Sequence, residues 1–218
     1  ETGSGLGAVQ PLTALDDIIA DRMARLTSYQ NSAYASRYRE KLDSLIAVDT
    51  DAGQHLSRAV ARYLYKMMAI KDEYEVARLY TDGRFANALS AQFEGDISIS
   101  YHLAPPMFSG ADPVTGRPKK AVYGSWVRPV MSVLASCKSL RGTVFDLFGY
   151  TAERKAERAA LKRYEALLDE VAARLTAANY NAAVQLVSVP EQIRGFGPVR
   201  HAHPVSYTHL TLPTKQMV

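Results

Sequence analysis

Between Thr151 and about Leu175, Leu161, Tyr164, Leu168, Val171 and Leu175 follow one another at alternating spacings of three and four. That spacing puts all five on one face of an α-helix and is incompatible with the two-residue period of a strand. Glu153 near the start suits the positive end of the helix dipole. Two heptads are too few for an autonomous coiled coil, so the seam has to be buried against other helices of the same chain. A chain carrying this element is committed to helix-on-helix packing.

The rest of the sequence agrees with that commitment. Thr13 followed three residues later by Asp16 predicts a capping-box start, and Leu15, Ile18, Ile19, Met23 and Leu26 continue as an apolar stripe over 13–26. Tyr34, Tyr38, Leu42 and Leu45 predict a second helix that stops before DTDAG at 49–53, and Leu56, Val60, Tyr63, Leu64 and Met67 a third. Tyr74, Ala77, Arg78 and Tyr80 continue or restart the third helix as far as the turn signal Asp82-Gly83, and a short helix follows at 84–93. At 96–101 the period changes: Ile97, Ile99 and Tyr101 alternate with Asp96, Ser98 and Ser100, the pattern of a half-buried strand. Pro105 and Pro106 end it, and Val122 with Tyr123 supplies a return strand. Helices are predicted again at 126–140, with Pro129 in the first turn where a missing N–H costs nothing, and at 179–187 before Pro190. The expected fold is mainly α with a small β element, packed helices plus a short strand or hairpin around residues 96–124.

Residues 1–12, which open ETGSGLGAVQP, read as a linker from an upstream domain, and 13–204 as one mainly helical domain. Val205–Thr214, VSYTHLTLPT, is the in-frame translation of a string resembling a transposase-library adapter, so 205–218 is expected to be a non-native tail. The single cysteine, Cys137, excludes an internal disulfide and any cluster site built from four cysteines of these residues. No apolar run approaches the roughly 18 residues that span a bilayer. The expectation is a cytoplasmic protein without membrane contact. The net charge of +4 makes no basic stripe, and the densest run, Arg154, Lys155, Arg158, Lys162 and Arg163, is interleaved with Glu153, Glu157 and Glu165 in the manner of a solvated helix face.

Cofactor signatures break down on inspection. Gly110 and Gly116 frame ADPVT, but Arg117 and Pro118 follow where a phosphate loop needs Lys and Ser or Thr. Gly195 and Gly197 lack the third glycine and the strand–helix context of a dinucleotide site. Gly95-Asp96 begins a thiamine diphosphate pattern that Ile97 does not continue. His55 and His102 stand isolated, and His201 and His203 lack partner ligands at helical spacing. Cys137 shares a helical face with Val130, Val133 and Leu134 and reads as a buried structural thiol. The densest polar cluster, KDEYEVARLYTDGRF, carries Lys71, Asp72, Glu73, Glu75, Arg78, Asp82 and Arg84. On a helix Glu75 is three residues from Arg78 and four from Lys71, so it can bridge both. Surface ion pairing and a docking face anchored by Tyr74, Arg78 and Tyr80 both fit this pattern.

Five strings in order carry a resemblance: LTSYQNSAYASRYR at 26–39, YLYKMMAIKDEYEVARLYTDGRF at 63–85, FEGDISISYHLAPPMF at 93–108, LRGTVFDLFGYTAERKAERAALKRYEALLDEV at 140–171 and VPEQIRGFGPVR at 189–200. Together they resemble the C-terminal region of the large, fused indolepyruvate ferredoxin oxidoreductases, over about residues 12–203. The resemblance implies a parent enzyme that oxidatively decarboxylates arylpyruvates to acyl-coenzyme A, using thiamine diphosphate, magnesium and iron–sulfur clusters, with ferredoxin as electron acceptor and a homodimeric assembly. It implies that the catalytic domains lie upstream, that no catalytic, cofactor-binding or metal residue falls in this segment, and that the segment packs on the catalytic body or across a dimer interface. On that view the interdomain contact is expected at Lys71, Asp72, Tyr74, Glu75, Arg78, Tyr80, Arg194 and Phe196. The alternative is an independent helical module for nucleic acid or an acidic ligand, motivated by Lys119, Lys120, Arg194 and Arg200; steeply salt-dependent DNA binding would separate the two.

Overall fold

The computed structural model describes residues 12–95, 98–103, 119 and 121–193. Among them it contains eight α-helices and one antiparallel pair of short strands, the mainly α architecture with a small β element that the periodicities predict. The chain divides into two compact units, one holding residues 12–68 and 160–192, the other 69–159 and Ile193.

In the first unit, α1 (Leu15–Tyr29), α2 (Ser32–Ile46) and α3 (His55–Met68) pack on one another, and α8 (Tyr180–Val187) packs on α3. Each helix turns inward the residues its spacing selects: Ile19 and Leu26 from α1, Tyr38, Leu42 and Leu45 from α2, Leu56, Val60 and Leu64 from α3, all essentially without solvent contact. Helix α2 starts where the Asn31 side chain accepts the Tyr34 N–H at 2.9 Å, a standard N-cap. Tyrosine hydroxyls tie the layers together. Tyr38 donates to the Ala61 carbonyl of α3 at 2.9 Å, and Tyr164 of α7 (Ala152–Arg174) donates to the Val187 carbonyl of α8 at 2.7 Å. A buried phenol needs such a partner, because an unpaired hydroxyl costs about as much as the ring's burial gains. Helix α7 buries Leu161, Tyr164, Leu168 and Val171 of the expected seam; Leu175 lies just past its end and is half-buried.

In the second unit, α4 (Glu73–Thr81) packs on both α5 (Arg84–Gln92) and α6 (Val127–Ser136). Strands β1 (Tyr101–Leu103) and β2 (Ala121–Tyr123) pair antiparallel with Tyr101 opposite Tyr123 and Leu103 opposite Ala121. A small core joins Ala77 of α4, Tyr101 of β1 and Val127 and Met131 of α6, with Tyr80, Ile99, Tyr123 and Leu134 packed around it. Tyr80 sits edge-on to both Phe85 and Tyr101 at about 5 Å between ring centres.

Four boundaries differ from the sequence reading, each for a local reason. Thr13 does not cap α1: Ala14 is the N-cap residue, with no side-chain cap bond, and the helix runs on through Tyr29. Lys71 lies before α4 rather than on it, because the chain breaks at Ala69–Asp72 and restarts on the Asp72 cap. The strand begins at Tyr101 instead of 96, although the alternation holds in the exposure of Ser98, Ser100 and His102 against covered Ile99, Tyr101 and Leu103. Helix α6 ends at Ser136 and tightens into a 3-10 turn over Cys137–Leu140. Asp96 and Ile97 lie outside the described residues.

Candidate functional site

Asp72 organises the most elaborate polar arrangement in the second unit. Its carboxylate accepts the Glu75 N–H at 2.8 Å, which caps α4, and grips Arg141 with both oxygens, Nε to Oδ2 at 2.5 Å and Nη2 to Oδ1 at 2.8 Å. Both side chains are more than nine-tenths buried. The Arg141 guanidinium lies 5.2 Å from the centre of the Tyr74 ring, which also makes a T-shaped contact with Phe148 at 5.3 Å between ring centres. The Tyr74 hydroxyl donates to Asp146 at 3.3 Å, and burial, reinforced by the Asp146 charge, pushes that phenol up to about 12.

Asp146 in turn holds the loop that follows the 3-10 turn. Its carboxylate accepts the Gly142 N–H at 2.8 Å and the Gly149 N–H at 3.0 Å, closing residues 142–149 into a tight hydrogen-bonded arch. Gly142 has φ of +73°, where a side chain is strained, and a Cβ on Gly149 would overlap the Asp146 carboxylate. The Arg158 guanidinium donates to the Gly149 carbonyl, and the Tyr150 hydroxyl donates to the Val144 carbonyl at 2.9 Å. The arch is therefore built, and its outward residues are apolar: Val144 is 76% exposed, Phe145 69% and Leu147 70%, with Tyr150 also exposed.

A second apolar strip lies on α6. Trp126, Val130 and Val133 recur at i, i+4 and i+7 and are all exposed, while Val127 and Met131 on the other side of the helix enter the core. This corrects the expectation for Cys137: its companions Val130 and Val133 face solvent, and Cys137 itself is half-buried rather than enclosed. Spacing alone locates a stripe; it does not say which of two apolar stripes the core takes.

The residues expected at an interdomain face fall into distinct environments. Lys71 is exposed, and its carbonyl accepts an Arg154 guanidinium N–H at 3.5 Å. Asp72 and Tyr74 are buried in the network just described. Arg78 is shared between Glu75, at 2.7 Å, and Asp82, at 3.0 Å, so Glu75 is engaged from inside its own helix. Tyr80 is half-buried among Phe85 and Tyr101. Arg194 and Phe196 lie outside the described residues. Sequence reasoning did not single out Arg141 or Asp146; the available signal was the density of glycine and aromatics around one acid in RGTVFDLFG.

Three further groups carry perturbed or partnered charges. Glu73 is pushed up by burial, partly offset by Arg154 at 3.7 Å, and its Oε2 has no hydrogen-bond partner. His55, read as isolated, has a carboxylate partner four residues back: its Nδ1 lies 2.6 Å from Asp51 Oδ2, and the ring is exposed. The hydrogen bond from His55 lowers the Asp51 carboxyl. Beside it, Asp49 accepts from the Ser57 N–H and hydroxyl at 2.9 and 2.6 Å and from the Tyr180 hydroxyl at 2.9 Å, which fixes the start of α3 against α8. His102 is exposed on β1.

Among the described residues no three His, Cys, Asp or Glu side chains converge as metal ligands, and no helix is long and apolar enough to cross a membrane. What the second unit offers is a rigidly supported apolar surface. No curated protein and no solved structure matches the chain. A family profile does match, over residues 15–211, and the chain belongs to that family, described as a family of unknown function, DUF6537.

Proposed function

We propose that this chain is an accessory, noncatalytic helical part of an indolepyruvate-type 2-oxoacid:ferredoxin oxidoreductase, a cytoplasmic enzyme that converts arylpyruvates to acyl-coenzyme A. The parent's identity comes from the five strings that resemble that family. The observation that carries the accessory role is the exposed apolar surface of the second unit, because large apolar side chains held outward on a hydrogen-bonded arch cost free energy in water that contact with a partner releases. In the parent, thiamine diphosphate supplies the carbanion chemistry and iron–sulfur clusters the path to ferredoxin. The residues of this chain do none of that; Asp72, Arg141 and Asp146 are engaged in holding α4 and the arch.

The experiment compares the purified chain with the full-length polypeptide, each given indolepyruvate, coenzyme A and a low-potential electron acceptor. The full-length protein is expected to be brown and to turn over, and the chain alone to be colourless and inactive. Turnover or a visible chromophore in the isolated chain would refute the proposal.

A further inference from the structure

Eight of the eleven large apolar side chains left exposed among the described residues lie between Val122 and Tyr150: Val122, Trp126, Val130 and Val133 on β2 and α6, and Val144, Phe145, Leu147 and Tyr150 on the arch. Scattered exposed apolar residues are ordinary; their concentration in one short segment of one unit is not. From their fractional exposure these side chains present roughly 1,000 Å², comparable with the ~800 Å² that each partner contributes to a standard stable interface.

The same segment is cationic: residues 122–150 contain Arg128, Lys138 and Arg141 against one acid, Asp146, a balance of +2, and Lys119 and Lys120 precede it directly. Asp146 is buried and Arg141 is bound to Asp72, so the surface charge of the segment is cationic, with Lys119 and Arg128 exposed. A surface of this kind is complementary to an apolar patch rimmed by acids. Its composition also bears on the type of contact. It is predominantly apolar, as obligate interfaces are, and Trp126 and Tyr150 are of the residue types that anchor interfaces.

We infer that the segment 122–150, rather than the charged face of α4, is the docking surface of this chain, and that its partner is an apolar, acid-rimmed face of the catalytic body in the same polypeptide. The occupant rests on the function proposed above; the location of the surface does not. The hydrogen-bonded arch makes the contact inexpensive in entropy, since Val144, Phe145 and Leu147 are already held on an ordered backbone.

Hydroxyl-radical footprinting of the full-length polypeptide and of this chain tests the surface. Trp126, Phe145 and Tyr150 are expected to label at least about fivefold more slowly in the full-length protein, as residues at an interface core do. Phe145→Glu with Val133→Glu should restore fast labelling of Trp126, whereas Phe145→Arg with Val133→Arg should restore it less, because acids repel an acid-rimmed partner. Both positions are exposed, and unchanged circular dichroism of the isolated chain verifies that it still folds. Equal labelling in an active full-length enzyme overturns the inference and leaves the proposed function standing. Protection in a full-length protein without oxidoreductase activity removes the parent enzyme and keeps the surface. Slow labelling in both proteins with a dimeric isolated chain assigns the surface to a second copy, and co-sedimentation of the chain with phosphatidylserine vesicles assigns it to lipid; either overturns the inference.

Discussion

Removing the Asp72 carboxylate is the most informative perturbation of the second unit. Asp72→Ala deletes two charge-assisted bonds to Arg141 and the cap on the Glu75 N–H, and leaves the Arg141 guanidinium buried without its counter-ion. Stranding a buried charge costs about 3–5 kcal/mol, and losing an N-cap about 1 kcal/mol. The expected loss of about 4–6 kcal/mol rivals the whole stability of a small folded unit. Arg141→Met should also be costly, since it strands Asp72. The double replacement Asp72→Ala/Arg141→Met removes both charges, so it should cost about 2–3 kcal/mol less than the two single losses together. Urea denaturation followed by tryptophan emission reads this out selectively: Trp126 is the single tryptophan and belongs to the second unit, edge-on to Tyr123. Asp72→Asn, which keeps an acceptor for the cap, should fall between wild type and alanine. A loss below about 1 kcal/mol for Asp72→Ala, or strictly additive single losses, would show that neither charge depends on the other for its burial.

Other expectations follow from the same geometry. Asp146→Ala unpairs the Gly142 N–H and leaves the Gly149 N–H only its 3.1 Å bond to the residue-146 carbonyl, so it should destabilise the second unit by about 2 kcal/mol, with faster amide exchange confined first to 142–149. Tyr164→Phe removes one buried bond to Val187 and should cost about 1 kcal/mol in thermal denaturation; a silent replacement would mean that the hydroxyl is not needed to hold α7 on α8. Burial raises Tyr74 and Tyr180 to about 12, so their contribution is complete below the ordinary tyrosine value near 10 and is lost as pH climbs through 12, because the unfolded chain gives up its phenolic protons first. The phenolate absorbance that disappears in Tyr74→Phe and Tyr180→Phe should be one that rises only with unfolding in this range; loss of a component near 10 would refute this. Glu73 is raised by burial, so its charge opposes folding above its ordinary pKa; Glu73→Gln should raise the unfolding free energy from urea titration at neutral pH, by about 1 kcal/mol at most, and have little effect in acid.

Helix positions were legible because a helix is a local object. The spacings at Leu15–Leu26, Tyr38–Leu45, Leu56–Met67 and Leu161–Val171 name the inward faces of α1, α2, α3 and α7 without reference to any neighbour, and the buried residues agree. The hairpin was legible for the same reason: alternation over 96–101 is a two-residue pattern that leads into β1, and Val122 with Tyr123 supplies the return. The spacing leaves the restart at α4 open against a continuous helix, although its signal is local: Asp72 stands three residues ahead of the N–H it accepts.

The candidate surface was not legible in this way. KDEYEVARLYTDGRF stands out as charge density, yet whether Asp72 faces water or a partner depends on an arginine 69 residues along the chain, and no local pattern encodes that pairing. The same holds for α6, where Val127 with Met131 and Trp126 with Val130 and Val133 are two apolar stripes of one helix and hydropathy does not rank them. Only packing against Ala77 and Tyr101 decides which enters the core and which is left in water. Sequence by itself determined where the helices and the hairpin run and which side of most of them is apolar, because those are properties of short spans. Tertiary structure alone decided which charges find each other and which apolar side is left over, because both depend on the backbone bringing distant residues together.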